Sequence, residues 1–198
     1  MYLFLDTETG GLDPKETDLL SVGCIKVRED FTRIDRLSIN VAPDSGIYRV
    51  NPQALQINGI DLAHRLDVHP YNNASSVLWE WLDSLEFSSL EKYTIAGWNV
   101  NFDIGFLKAQ LFANQDAVWN SLFQFQVYDV QSVVQYATSV GILAKNLQGR
   151  GMHTVAQALG FPIDKHEPHD VLRDTEATLF IANTVYQQAA FFKNRKEG

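Results

Sequence analysis

The chain has 198 residues, 45% of them hydrophobic and 12% aromatic, which excludes an intrinsically disordered segment and fits one globular domain with a sizeable core. Its 24 acidic and 16 basic residues leave a net charge of −8. That balance excludes a broad basic surface for gripping long duplex, so any nucleic-acid contact is expected to be local or carried by metal ions. The apolar, β-prone run Tyr2–Leu5 predicts a strand ending at Asp6, followed by turn chemistry at Thr9–Pro14. Alternation predicts a second strand from Leu19 to Val27 and a third over Ile34–Val41, with Leu37, Ile39 and Val41 opposite Arg36, Ser38 and Asn40. Three strands joined by short turns make an antiparallel meander.

After Pro43 the pattern changes. A short helix is expected at Pro52–Ile57, stopped by Asn58-Gly59, and a longer one at Asn73–Leu85. Tyr93–Trp98 reads as a strand, Asp103–Ala113 as a helix, Gln126–Val130 as a short last strand and Gln131–Val140 as a helix. Leu143–Gly151 reads as a loop, His153–Leu159 as a helix closed by Gly160 and Pro162, and Asp170–Phe191 as a long final helix. This order predicts an α/β layered domain on a mixed sheet, one domain over 1–192, with a frayed tail at 193–198. The single cysteine, Cys24, excludes an internal disulfide and a cysteine-cluster zinc site. No apolar run approaches the roughly 20 residues of a membrane span, and the first residues lack a signal peptide's basic start, so a cytoplasmic protein with no membrane partner is expected.

Three segments carry candidate chemistry. Asp6 and Glu8, two apart on a strand, point to one face about 6–7 Å apart at Cα. They are either a polar strand end or a pair that shares a cation, since like charges that close repel. An EF-hand fails, because position 12 of that loop would be Thr17. Asp103, at a strand-to-helix junction, is either a helix cap or a site residue at the sheet edge where α/β sites collect. His169 and Asp174 follow the break at Pro168, so His169 has to swing in from the connection to meet Asp174 on the helix. His166, His169 and Asp174 raise the question of zinc, but four scattered carboxylates favour hard oxygen-seeking ions such as Mg²⁺ or Mn²⁺.

Taken together these segments resemble the DEDDh exonucleases, the DnaQ-like 3′–5′ exonuclease family. The D-x-E motif with its following turn is Asp6-Thr7-Glu8-Thr9-Gly10-Gly11-Leu12. The N-x-x-F-D motif is Asn99-Val100-Asn101-Phe102-Asp103, and H-x-x-x-x-D runs from His169 to Asp174. Asn58-Gly59-Ile60 matches a Gly-Ile turn frequent in the family. The resemblance spans Tyr2 to about Val185. Trp98 stands where many relatives carry His, and Gln124–Gly151 matches nothing specific.

The resemblance implies a ribonuclease-H-like three-layer fold, a mixed five-stranded sheet flanked by helices. It implies 3′–5′ hydrolysis of single-stranded nucleic acid with two Mg²⁺ or Mn²⁺ ions. Asp6 would bridge the ions, Glu8 and Asp174 would complete the site of the water-activating ion, and Asp103 would hold the second. His169 would be the general base. Thr7, Thr9, Gly10, Leu12, Asn58, Asn99 and Phe102 are the expected substrate contacts. Among them the Thr9 and Gly10 N–H groups are expected at the terminal 3′ group, and Asn99 at the scissile nucleotide. Leu12 is either a wedge between the last two bases or an ordinary turn residue. Phe102 is either a stacking platform or core. DNA ends are favoured over RNA ends, with a DNA polymerase subunit as a possible partner. The alternatives are an RNA-trimming enzyme resembling oligoribonuclease or ribonuclease T, and a catalytically silent, polymerase-associated module.

Overall fold

Strand β1 (Tyr2–Thr9) lies inside a six-stranded sheet whose order is β4-β3-β2-β1-β5-β6. The structure is a computed structural model described over residues 1–83, 92–163 and 169–196, with side chains described to residue 191. β2 (Leu19–Val27) and β3 (Arg33–Ala42) complete the expected antiparallel meander. β5 (Tyr93–Gly97) joins β1 in parallel and β6 (Phe123–Asp129) joins β5 in parallel. The sixth strand, beyond the expected five, is β4 (Val68–Pro70), which pairs in parallel with β3. Three residues ending in proline leave no period-2 signature, and proline is tolerated there because β4 is an edge.

β1 is longer than its apolar run. The pairing Asp6↔Gly23, Thr7↔Val22, Glu8↔Ser21 carries the ladder to Thr9, so the two carboxylates sit within the strand rather than at its end. Alternation then sorts the side chains. Leu3 and Leu5 join a core under α2 (Tyr71–Asp83) and α3 (Asn101–Phe106). Phe4 joins a second core under α5 (Val130–Ser139), α6 (Met152–Ala158) and α7 (Val171–Lys196). Helices on both faces of a mixed sheet give the expected three layers.

Other boundaries move for local reasons. α1 (Pro52–Asn58) begins as expected, with Asn51 accepting from the Gln53 N–H, and ends at Gly59 in the left-handed region with φ of 66°. α2 begins at Tyr71, and the expected continuation to Leu85 lies outside the described residues. α3 opens two residues before Asp103, then widens into a π-helical turn over Leu107–Leu111. That turn presents Gln110, whose amide donates to the Pro14 and Thr17 carbonyls at 2.9 and 2.8 Å and accepts from the Leu19 N–H at 2.7 Å. The loop after β1 is thereby pinned to α3. α4 (Asp116–Leu122) lies in a stretch without a predicted element, and the loop after α5 contains a short 3₁₀ turn at Lys145–Leu147. α7 runs five residues past Phe191, to Lys196. Among the described residues, no helix is long and apolar enough to cross a membrane.

Candidate active site

Asp6 and Glu8 share the face of β1 that carries Phe4, so both point toward α7. Gly23, the partner of Asp6 across the ladder, lets α7 come close. A Cβ there would sit 2.6 Å from the Val171 carbonyl oxygen. With its first turn packed on β2, α7 brings Asp174 over the two strand carboxylates. Oxygens of Asp6, Glu8 and Asp174 lie within 4.8 Å of one another. The Asp170 carboxylate accepts from the Arg173 N–H at 2.8 Å and caps this helix start.

Asp103 sits beside this group rather than within it. It is 3% exposed on the other face of β1, where its Oδ1 accepts from Thr7 Oγ1 at 2.6 Å. Thr7 is thus a support for Asp103. Asp103 is nevertheless close enough to act on Asp6, whose carboxyl is held well above the usual range, first by burial and then by the charges of Asp103, Asp174 and Glu8. Burial raises Glu8 to about 8; His169 opposes the rise, while Asp174, Asp103 and Asp170 add to it. Burial also carries Asp103 to about 7, against the hydrogen bond from Thr7. Asp174 behaves oppositely. Burial pushes it up, but hydrogen bonds from His153 and His169 prevail and hold it below its ordinary value. His169 is raised in return, mainly by its bond to Asp174 and against its own burial. Burial, with mutual repulsion added at Asp6 and Glu8, makes these carboxyls ones a divalent cation would suit. With the carboxylate of Asp174 they make three oxygen donors, which fit a hard ion.

His169 enters from the connection before α7, as its spacing requires, and its Nδ1 lies 2.8 Å from Asp174 Oδ2. His166 and Pro168 lie outside the described residues. The other oxygen of Asp174 is taken by a histidine that the sequence reading placed only as a helix start. His153 Nε2, from the first turn of α6, is 2.8 Å from Asp174 Oδ1, and its ring stacks on His169 at 4.8 Å between centroids. The local signal for His153 was slight: a histidine at a helix N-terminus, where a positive charge is disfavoured. Its partner is 21 residues away, and only the packing of α6 on α7 brings them together.

These groups floor a cleft of about 600 Å³ whose walls include α1, the turn after β1, Trp98, Phe102 and residues 151–154. Leu12 stands at its rim, 87% exposed. Phe102 serves in both of its readings, lining the cleft with one side and packing on the core and Phe106 with the other. Asn58 and Thr9 line the cleft as expected, but their polar atoms are engaged. Asn58 Nδ2 donates to the Thr9 carbonyl at 2.9 Å, and Thr9 Oγ1 donates to the Gly11 carbonyl at 2.7 Å.

Two expected contacts have their backbone N–H groups engaged within the protein. The Gly10 N–H donates to the Asp18 carbonyl at 2.7 Å, so it is not free for a 3′ end. What Gly10 provides is room, since a Cβ would lie 2.7 Å from Val50 Cγ1 and 2.9 Å from the Arg49 carbonyl. Asn99 is not among the cleft residues. It holds φ of 52°, with its N–H bonded to Asp129 Oδ1 at 3.0 Å. This is one role for the stretch 124–151 that the sequence left unassigned: Asp129 braces the turn that aims Trp98 and Phe102.

With this geometry in place, comparison with known proteins is informative. The model of the RNase_T family, described as exonuclease, matches residues 3–182. Exonuclease I of E. coli, in the zinc-bound form of its complex with single-stranded DNA, aligns with a TM-score of 0.76 at 20% identity, covering 98% of this chain and 42% of that one. Exonuclease I of Methylocaldum szegediense, described as moderately thermophilic, aligns with a TM-score of 0.74 at 20% identity, over 94% of this chain and 40% of that one. This chain spans about two fifths of the length of these structures. At that identity the likeness establishes the fold, which is ribonuclease-H-like.

Proposed function

This chain belongs to the exonuclease family, of the DEDDh type, and on that premise we propose that it releases nucleotides from 3′ ends of single-stranded nucleic acid, DNA by preference, with Mg²⁺ or Mn²⁺. One observation carries the reading: Asp6, Glu8 and Asp174 converge within 4.8 Å on the floor of an open cleft, with His169 beside them. Asp6, Glu8 and Asp174 would hold one cation, with Asp6 and the neighbouring Asp103 holding the second. When bound, two such ions supply water activation and charge neutralisation at the phosphate.

The chain's own residues do the rest. Asp174, held as a carboxylate, accepts only, so His169 Nδ1 carries the proton in that bond and Nε2 is left to take one from water. Phe102 offers a face to a terminal base, and Leu12 at the rim offers an edge to part it from its neighbour. Asn58 fixes the turn that carries Leu12 by holding the Thr9 carbonyl. None of these groups reads base identity, which suits trimming without sequence preference. The preference for DNA draws on relatives that hold single-stranded DNA in their structures.

The test is digestion of 5′-labelled single-stranded DNA, the matched RNA and a mismatched-primer duplex, each with Mg²⁺, Mn²⁺ or chelator. Faster trimming of the DNA, lost in chelator, is the expected result. Faster trimming of RNA would replace the substrate. Inactivity on all three with either metal would favour the silent interaction module.

A further inference from the structure

The cleft contains a second donor set. His153 Nε2, His169 Nδ1 and a carboxylate oxygen of Asp174 lie within 4.8 Å of one another, and this set contains two nitrogens where the first contains only oxygens. Both imidazoles already aim one nitrogen at the same carboxylate, at 2.8 Å each, from nearly parallel rings 22° apart. A metal ion can take the place of the protons that these two nitrogens share with the carboxylate, the displaced protons passing to the other ring nitrogens or to solvent. Tetrahedral zinc with bonds of about 2.0–2.1 Å needs ligand atoms roughly 3.3 Å apart, which these three donors, already within 4.8 Å of one another, reach by reorienting the two rings. Two histidines, one carboxylate and an open fourth position facing a cleft form a recognised zinc donor set, whereas magnesium prefers oxygen and keeps its waters.

We propose that His153, His169 and Asp174 form a zinc-binding site, separate in its donors from the all-carboxylate site and sharing Asp174 with it. Zinc held there occupies His169 Nδ1 and draws Asp174 away from Asp6 and Glu8. Resting on the function proposed above, this makes zinc an inhibitor of the magnesium-supported reaction. The binding itself does not depend on that function, so its test reads binding directly.

The experiment titrates the metal-free protein with Zn²⁺ alone against a chromogenic chelator and records X-ray absorption of the zinc-loaded form. One zinc per chain with nitrogen ligands is expected. His153→Gln and His169→Gln should each weaken it by about 100-fold, at least the loss typical for disturbing a metal's surroundings. The double variant Asp6→Asn/Glu8→Gln should bind zinc within a few-fold of the parent. Circular dichroism and melting of each variant show that the fold is kept, and the carboxylate double variant decides the matter even if His153→Gln unfolds. Zinc that stays in His153→Gln and leaves with Asp6→Asn/Glu8→Gln would overturn the proposal, as would no binding in the parent. If zinc binds as described but leaves magnesium-supported hydrolysis untouched, the site stands and the inhibition is wrong.

Discussion

Replacing Glu8 with glutamine should stabilise the metal-free protein by an amount that grows with pH. Glu8 is 6% exposed, and burial is the main cause carrying its carboxyl from 4.5 to about 8. In the unfolded chain it ionises near 4.5. Between those values the native state keeps a proton that the unfolded state has lost, so stability falls as pH rises. Below about 4.5 both states are protonated and nothing is lost; above about 8 the loss is complete. At about 1.4 kcal/mol per pH unit, the opposition to folding is roughly 3 kcal/mol at pH 7 and approaches 5 kcal/mol at pH 8. Asp6 and Asp103 are raised as well and share this titration, so relief from one substitution is smaller than the sum, about 2–4 kcal/mol at pH 8. Glutamine keeps the shape and removes the charge. Urea unfolding in chelator at pH 5, 6, 7 and 8 checks it. The two proteins should nearly coincide at pH 5 and diverge steadily above it. Mn²⁺ at a hundredfold excess over Kd should add about 2.7 kcal/mol to the parent and less to the variant. A difference that does not change with pH, or a variant less stable than the parent at pH 8, would refute the reasoning.

Three further outcomes are expected. His169→Ala should lower turnover by roughly 10²–10⁴-fold, the usual contribution of a general base, while Mn²⁺ binding measured calorimetrically is retained. Gly23→Ala should cost about 1–3 kcal/mol, because the new Cβ meets the Val171 carbonyl; urea unfolding would show it, and turnover should fall with it as Asp174 is displaced. Phe102→Ala should raise KM for single-stranded DNA by roughly 5- to 150-fold, the equivalent of about 1–3 kcal/mol of stacking, with little change in kcat.

The site was legible where the chemistry lies close in the chain. Asp6 and Glu8 share a face because strands alternate, and His169 reaches Asp174 because it lies in the connection just ahead of the helix that carries the aspartate. The meander was legible for the same reason, since Leu37, Ile39 and Val41 alternate with polar residues. What escaped depends on packing between distant elements. His153 meets Asp174 only because α6 lies on α7. The hydrogen bond by which Thr7 supports Asp103, 96 residues away, forms only because β1 continues past Leu5 and lies beside α3. Gly10 looked like an open turn, but its N–H donates to the Asp18 carbonyl at the far end of the same β1–β2 connection, a closure the turn residues alone do not announce. β4 is three residues long and gains its place only by lying beside β3.

The central claim is that converged carboxylates act with divalent metal on 3′ ends. The most direct measurement compares a 5′-labelled linear single strand with a covalently closed circle of the same sequence, both in Mn²⁺. The account predicts stepwise shortening of the linear strand from its 3′ end, with mononucleotide release, an intact circle, and no product in chelator. Cleavage of the circle at a comparable rate, or digestion that persists in chelator, would contradict it.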